Sequence, residues 1–190
     1  RKTFATLLKA NYAKIGPADI ELFMKRCIAH GISPGFFDWP PSGLGPGGRY
    51  WDHPEYYERD RALFRKYMPL ARRIAAAGWE PVTHARATDP TLRVERFGSM
   101  ERGRVYFTVL NDSPAPIRAS LTLDADALAL PADAPVVFDE VSARHVRVSR
   151  DGTALIVPLA LEPSTLALLH VARPGDFVAE HLALADAVFE

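Results

Sequence analysis

Aromatic rings and one carboxylate crowd the segment from Phe36 to Trp51, and they are the side chains best suited to chemistry in this chain. Phe36, Phe37, Trp39, Tyr50 and Trp51 supply flat apolar faces, and Asp38 supplies an acceptor oxygen. Rings of this kind suit sugars, whose C–H groups are apolar while their hydroxyls need hydrogen bonds. Asp38, Trp39, Tyr50 and Trp51 are therefore the candidate substrate-binding residues. Plainer roles stand beside these. Phe36 and Phe37 can simply finish a strand in the core, Trp51 can plug the start of a helix, and Asp38 can form the turn before Trp39-Pro40-Pro41.

Other polar groups carry less chemistry. The loop Gly43–Gly48 lacks the Lys-Ser/Thr of a phosphate-binding loop and the spacing of a dinucleotide fingerprint, so it reads as a flexible lid or loop. Asp52, Glu55, Glu58, Arg59, Asp60 and Arg61 read as a solvated charged cluster opening a helix. Arg61 alone is kept as a partner for a barrel-closing ion pair. Glu95 and Arg96 fall on a predicted strand and read as structural. The histidines at 30, 53, 84, 145, 170 and 181 show no metal-ligand spacing, and no Ser-His-Asp set has support. The single cysteine, Cys27, excludes an internal disulfide and a cysteine-based zinc site, and reads as a small core residue. No catalytic residue, metal or cofactor is assigned.

The elements that would position the aromatic segment follow from pattern. Thr6–Ala10 predicts a short buried strand, and Ala18–His30 a helix with Ile20, Phe23, Met24 and Cys27 on one face. Gly31 is a natural stop. Ile32–Phe37 is the next strand. A strand, helix and strand at this spacing form a βαβ unit, which implies parallel pairing. Pro54–Ala77 predicts a long helix with Tyr57, Phe64, Met68, Ala71 and Ile74 as its stripe, kinked or divided at Pro69. Short strands then recur at Pro81–Ala87, Leu92–Gly98, Arg104–Asn111, Ile117–Leu123, Val136–Val141, His145–Ser149, Ala154–Leu159 and Thr165–Val171. Their even spacing predicts an antiparallel sandwich, with Arg104–Asn111 central and a hairpin turn at Ser149–Gly152. Asp176–Phe189 reads as a final amphipathic helix with Phe177, Leu182, Leu184 and Val188 as its apolar positions.

Composition bounds what the chain can be. Its 190 residues carry 23 lysines and arginines against 23 aspartates and glutamates, so no general attraction to nucleic acid or anionic membrane is expected. No apolar run approaches the roughly 20 residues of a membrane-spanning helix. The opening Arg1-Lys2-Thr3-Phe4 reads as the latter part of something longer.

Three quoted stretches carry a family resemblance. They are Gly-Ile-Ser-Pro-Gly-Phe-Phe from Gly31, Tyr-Trp-Asp-His-Pro-Glu-Tyr-Tyr-Glu-Arg-Asp-Arg from Tyr50, and Ala-Gly-Trp-Glu-Pro-Val-Thr-His-Ala-Arg from Ala77. Together they resemble the C-terminal end of a barrel-type glycoside hydrolase. Val105–Asp112 and Leu161–Leu169 resemble strands of the small sandwich that follows many such barrels. The resemblance implies an α/β fragment, the last βα units of a (β/α)8 barrel, over residues 1–80. It implies an all-β antiparallel sandwich over 81–173 and a short C-terminal helix over 174–190. It further implies a carbohydrate substrate, an upstream barrel segment as partner, and catalytic carboxylates before Arg1, so this chain alone is expected to be inactive. A non-catalytic carbohydrate-binding or structural accessory module is the alternative.

Overall fold

The computed structural model describes residues 4–9, 14–37, 53–132 and 135–189. The chain divides into two compact units, Arg1–Ala76 and Ala77–Glu190.

In the first unit, β1 (Phe4–Lys9) and β2 (Ile32–Phe37) pair in parallel, from Phe4 opposite Ile32 to Lys9 opposite Phe37. Helix α1 (Pro17–Ala29) joins them. Its start is fixed twice: Pro17 needs no N–H partner at that position, and the Gly16 N–H donates to the Asp19 carboxylate at 2.9 Å. Gly31, at φ 66°, ends it in the left-handed conformation that favours glycine. The helix buries Ile20, Met24, Cys27 and Ile28. Phe23 is only half-buried and meets the Phe36 ring edge-on at 5.4 Å between centroids. Phe64 also meets Phe36, at 5.2 Å, so Phe36 packs against two helices rather than reaching into a cleft.

Helix α2 (Pro54–Ala77) departs from expectation in its buried stripe and at Asp60. It runs through Pro69 undivided. Pro69 and Arg65, whose carbonyl loses its helical partner, are both exposed, so water can satisfy the freed oxygen. Its buried stripe is Asp60, Tyr67, Leu70, Ala71, Ile74 and Ala77, with Tyr57, Phe64 and Met68 half-buried beside it. Asp60 is fully buried instead of solvated. Arg59 makes this tolerable by donating from Nε and Nη2 to the two Asp60 oxygens at 2.8 and 2.9 Å, while its Nη1 donates to the Ile15 carbonyl. Tyr67 donates its hydroxyl to Glu21. Burial alone would raise the Glu21 carboxyl, but the Tyr67 hydroxyl with Lys25 and Lys66 holds it below the usual range.

The second unit is a sandwich of two sheets in which every pairing is antiparallel. One sheet runs β3 (Trp79–Glu80), β5 (Arg93–Ser99), β6 (Arg104–Asn111), β12 (Thr165–Ala172), β8 (Val136–Asp139), β9 (Arg144–His145). The other runs β10 (Ser149–Asp151), β11 (Ala154–Leu161), β7 (Ile117–Asp124), β4 (Ala85–Ala87). Alternate residues make the core between them. Val105, Phe107 and Val109 of β6, with Leu169 and Val171 of β12, share one cluster with Leu121 and Leu123 of β7 and Leu155, Val157 and Leu159 of β11. As expected, β6 is an interior strand, buried along its length between β5 and β12.

Two strands read as single from pattern are broken where the chain changes sheets. Over Pro81–Ala87 only β4 forms, and β3 ends at Glu80 in the opposite sheet. Pro81 has no N–H to extend a ladder, and His84 turns the chain at φ 50°. Over His145–Ser149, residues 146–148 cross from β9 in one sheet to β10 in the other. The hairpin that follows turns at Gly152-Thr153, because Asp151 still pairs with Ala154.

Helix α3 (Pro174–Phe189) closes the unit. Leu182, an expected inward position, is 61% exposed, as is Val178 at 55%. The side chains of Leu184 and Val188 lie outside the described residues.

Candidate functional site

Residues 38–52 lie outside the described residues, and with them Asp38, Trp39, Tyr50 and Trp51. Their described flanks are the end of β2 and the start of α2, where the His53 ring and the Glu55 carboxylate share a hydrogen bond of 2.9 Å. Trp79 is described: it is exposed on β3 and donates its indole N–H to Glu95 at 2.8 Å.

The most concentrated chemistry among the described residues lies elsewhere, on the outer face of the larger sheet. Sheet register builds it. His170 of β12 stands opposite Tyr106 of β6 on one side and Phe138 of β8 on the other, so three rings form a row across three strands. The Tyr106 and His170 rings stack with centroids 4.5 Å apart. Glu140 directly follows β8, its N–H donating to the Leu168 carbonyl. Helix α3 then sets Phe177, Glu180 and His181, three and four residues apart and so on one face, over the row. Phe177 touches Phe138, His145, His170 and His181, with centroids 4.1 to 5.6 Å away. This explains the orientation of α3: the sheet presents rings and an imidazole, so the helix turns Phe177, Glu180 and His181 inward and leaves Val178 and Leu182 exposed.

Charge in the cluster is organised around two carboxylates. Glu140 lies 3.1 Å from His170 Nδ1 and 3.5 Å from His181 Nε2. Glu180 accepts the Tyr106 hydroxyl at 2.6 Å, and its other oxygen sits 3.6 Å from both His170 Nε2 and an Arg104 nitrogen. Burial, together with the hydrogen bond to Glu180, pushes the Tyr106 phenol well above its ordinary range, so it stays a donor. His181 Nδ1 lies 2.9 Å from the Phe177 carbonyl, which can only accept, so this nitrogen carries the proton. The second nitrogens, Nε2 of His170 and Nε2 of His181, are buried without a hydrogen bond. One donor atom each from Glu140, His170 and His181 lie within 4.8 Å of one another.

Sequence pattern singled out none of this cluster as a site. Its members come from positions 104 to 181 and meet only through register and the docking of α3. The available signal was a histidine inside the apolar run Leu168-Leu169-His170-Val171, followed by Phe177, Glu180 and His181 at helical spacing.

No protein-family model matches the sequence, and no curated protein matches it. Solved structures of similar fold do exist, and alpha-amylases are among them. In particular, an alpha-amylase from Anoxybacillus aligns with a TM-score of 0.53 and 13% identity, over 90% of this chain and 38% of its own. The alpha-amylase of Geobacillus thermoleovorans, solved in complex with acarbose, aligns with a TM-score of 0.51 and 13% identity, over 90% of this chain and 39% of its own. The chain thus spans well under half the length of these structures. At such identity the likeness is one of fold.

Proposed function

We propose that this chain is the portion of a carbohydrate-active hydrolase that carries the closing βα units of a (β/α)8 barrel and the sandwich behind it. Hydrolysis of a glycosidic bond is the activity of the whole, with the catalytic carboxylates contributed by upstream sequence. The observation that carries the reading is the parallel pairing of β1 and β2 across α1, with the aromatic segment leaving the C-terminal end of β2. That end is where α/β barrels assemble their sites. The fold shared with two alpha-amylases supports it. A parallel pair cannot close a cylinder of eight strands, which is why the reading needs further chain. The division of labour falls near residue 80, with the barrel part before it, the sandwich to about residue 173 and the helix after.

Asp38, Trp39, Tyr50 and Trp51 form one wall of the sugar cleft in this proposal. The rings stack on sugar faces, and Asp38 accepts a hydroxyl. Titrating the chain with acarbose and a panel of neutral oligosaccharides, read by tryptophan fluorescence, tests the wall. Saturable change lost in Trp39→Ala and Trp51→Ala, but kept in Trp79→Phe, is the expected result. No change with any glycan, or a change lost only with Trp79, overturns it.

A further inference from the structure

The Glu140–His170–His181 cluster has the composition and surroundings of a metal site. A histidine that binds a metal through one nitrogen characteristically donates its other N–H to a carboxylate or a backbone carbonyl, which fixes its tautomer and aim. His181 has that second partner in place. His181 gives its Nδ1 proton to the Phe177 carbonyl, leaving Nε2 as a lone pair directed at Glu140. His170 holds its Nδ1 within hydrogen-bond distance of Glu140, at 3.1 Å, and has the Glu180 carboxylate 3.6 Å from Nε2, near enough to take that proton once a metal occupies Nδ1. Glu180 is itself held by Tyr106 and Arg104.

Without a cation the arrangement is poorly satisfied. A lone pair on His181 faces a carboxylate, and two imidazole nitrogens are buried without a hydrogen bond, one of them on the fully buried His170. A cation among the three groups gives the His181 lone pair a partner. Ligand bonds of about 2.0–2.2 Å in a tetrahedron put donor atoms roughly 3.3–3.6 Å apart. The separations of 3.1 and 3.5 Å around Glu140 are close to that spacing. His181 is 31% exposed although its Nε2 is buried, so the site lies just beneath the surface.

We propose that Glu140, His170 and His181 bind one divalent transition-metal ion of the zinc class, clipping α3 to the sheet through donors from β12, α3 and the residue after β8. Two imidazoles and one carboxylate suit zinc and exclude calcium or magnesium, which prefer all-oxygen sites. The inference is independent of the carbohydrate reading.

The full chain, freed of metal by a chelator and titrated with Zn2+ in a calorimeter, tests it. One ion per chain is expected, with a rise in melting temperature. Affinity should fall at least 30-fold in His181→Ala and in Glu140→Gln, each with an unchanged circular dichroism spectrum, and stay unchanged in His53→Ala. Co2+ should give the intense visible bands of a four-coordinate centre in the wild type and lose them in His181→Ala. If the wild type takes up no Zn2+, or His181→Ala and Glu140→Gln bind it as well as the wild type does, the site is an imidazole–carboxylate ion pair and the proposal is wrong. Loss of uptake in His53→Ala alone places the ion in the first unit and equally overturns it.

Discussion

Gly98 and Gly152 both occupy left-handed backbone, at φ 78° and 56°, yet they are not equivalent. A Cβ on Gly98 would sit 2.8 Å from the Arg104 carbonyl oxygen and 3.3 Å from Ala77, whereas one on Gly152 meets nothing within 4 Å. Gly152→Ala should cost about 1 kcal/mol, the ordinary strain of an L-residue in this conformation. Gly98→Ala adds a backbone clash inside a sheet and should cost about 2–4 kcal/mol. Urea unfolding of both variants checks the difference, and equal costs would contradict the packing described around Gly98. At this scale the sequence was partly legible. A glycine between Phe97 and Ser99 announces a bend, but not that it faces the carbonyl of Arg104. His170 is the same case: its type is visible in an apolar run, while the partners that make it chemical are supplied by strands and a helix remote in sequence.

Among elements, α2 invites a direct experiment. Pro69 removes one hydrogen bond from its interior, and both Pro69 and Arg65 are exposed, so Pro69→Ala restores the bond without disturbing a packed face. The gain should be about 1–2 kcal/mol, being the roughly 3 kcal/mol helix penalty of proline less the flexibility returned to the unfolded chain. Thermal melts followed by circular dichroism would show it, and a loss of stability would mean that Pro69 is needed for the path of the helix. Element boundaries were most legible where one period held without interruption. Ile32–Phe37, Pro54–Ala77 and Arg104–Asn111 appear with the bounds their patterns predict. Legibility failed where a strand-like run spans a crossing between sheets, as at Pro81–Ala87 and His145–Ser149, since local pattern does not say which sheet a residue joins. It failed also for the inward faces of α2 and α3. Hydrophobicity alone cannot anticipate a buried Asp60 chelated by Arg59, or a sheet surface that prefers Glu180 and His181 to Leu182. For the residues of the proposed cleft wall, the sequence remains the only guide to their chemistry.

Across the molecule, stability should decline on the alkaline side. Burial pushes the Cys27 thiol up to about 12, and burial with the Glu21 hydrogen bond raises the Tyr67 phenol as well. Unfolded, these groups ionise near pH 8.5 and 10, roughly. The folded state holds protons that the unfolded state releases, so their contribution is whole below the unfolded values and drains away as pH rises past them. Unfolding free energy should therefore fall from about pH 9 upward, less steeply in Cys27→Ala and Tyr67→Phe, as urea titrations across that range would show. A flat profile would mean the two groups ionise freely in the native chain. The sheet order has one more consequence, for biosynthesis. Because β12 sits between β6 and β8, a ribosome must deliver residues up to Ala172 before the facing edges of those two strands can be bridged. Until then β6 is a long, greasy ribbon with one bare margin, and a nascent chain stalled or clipped ahead of Thr165 is primed to stick to its neighbours.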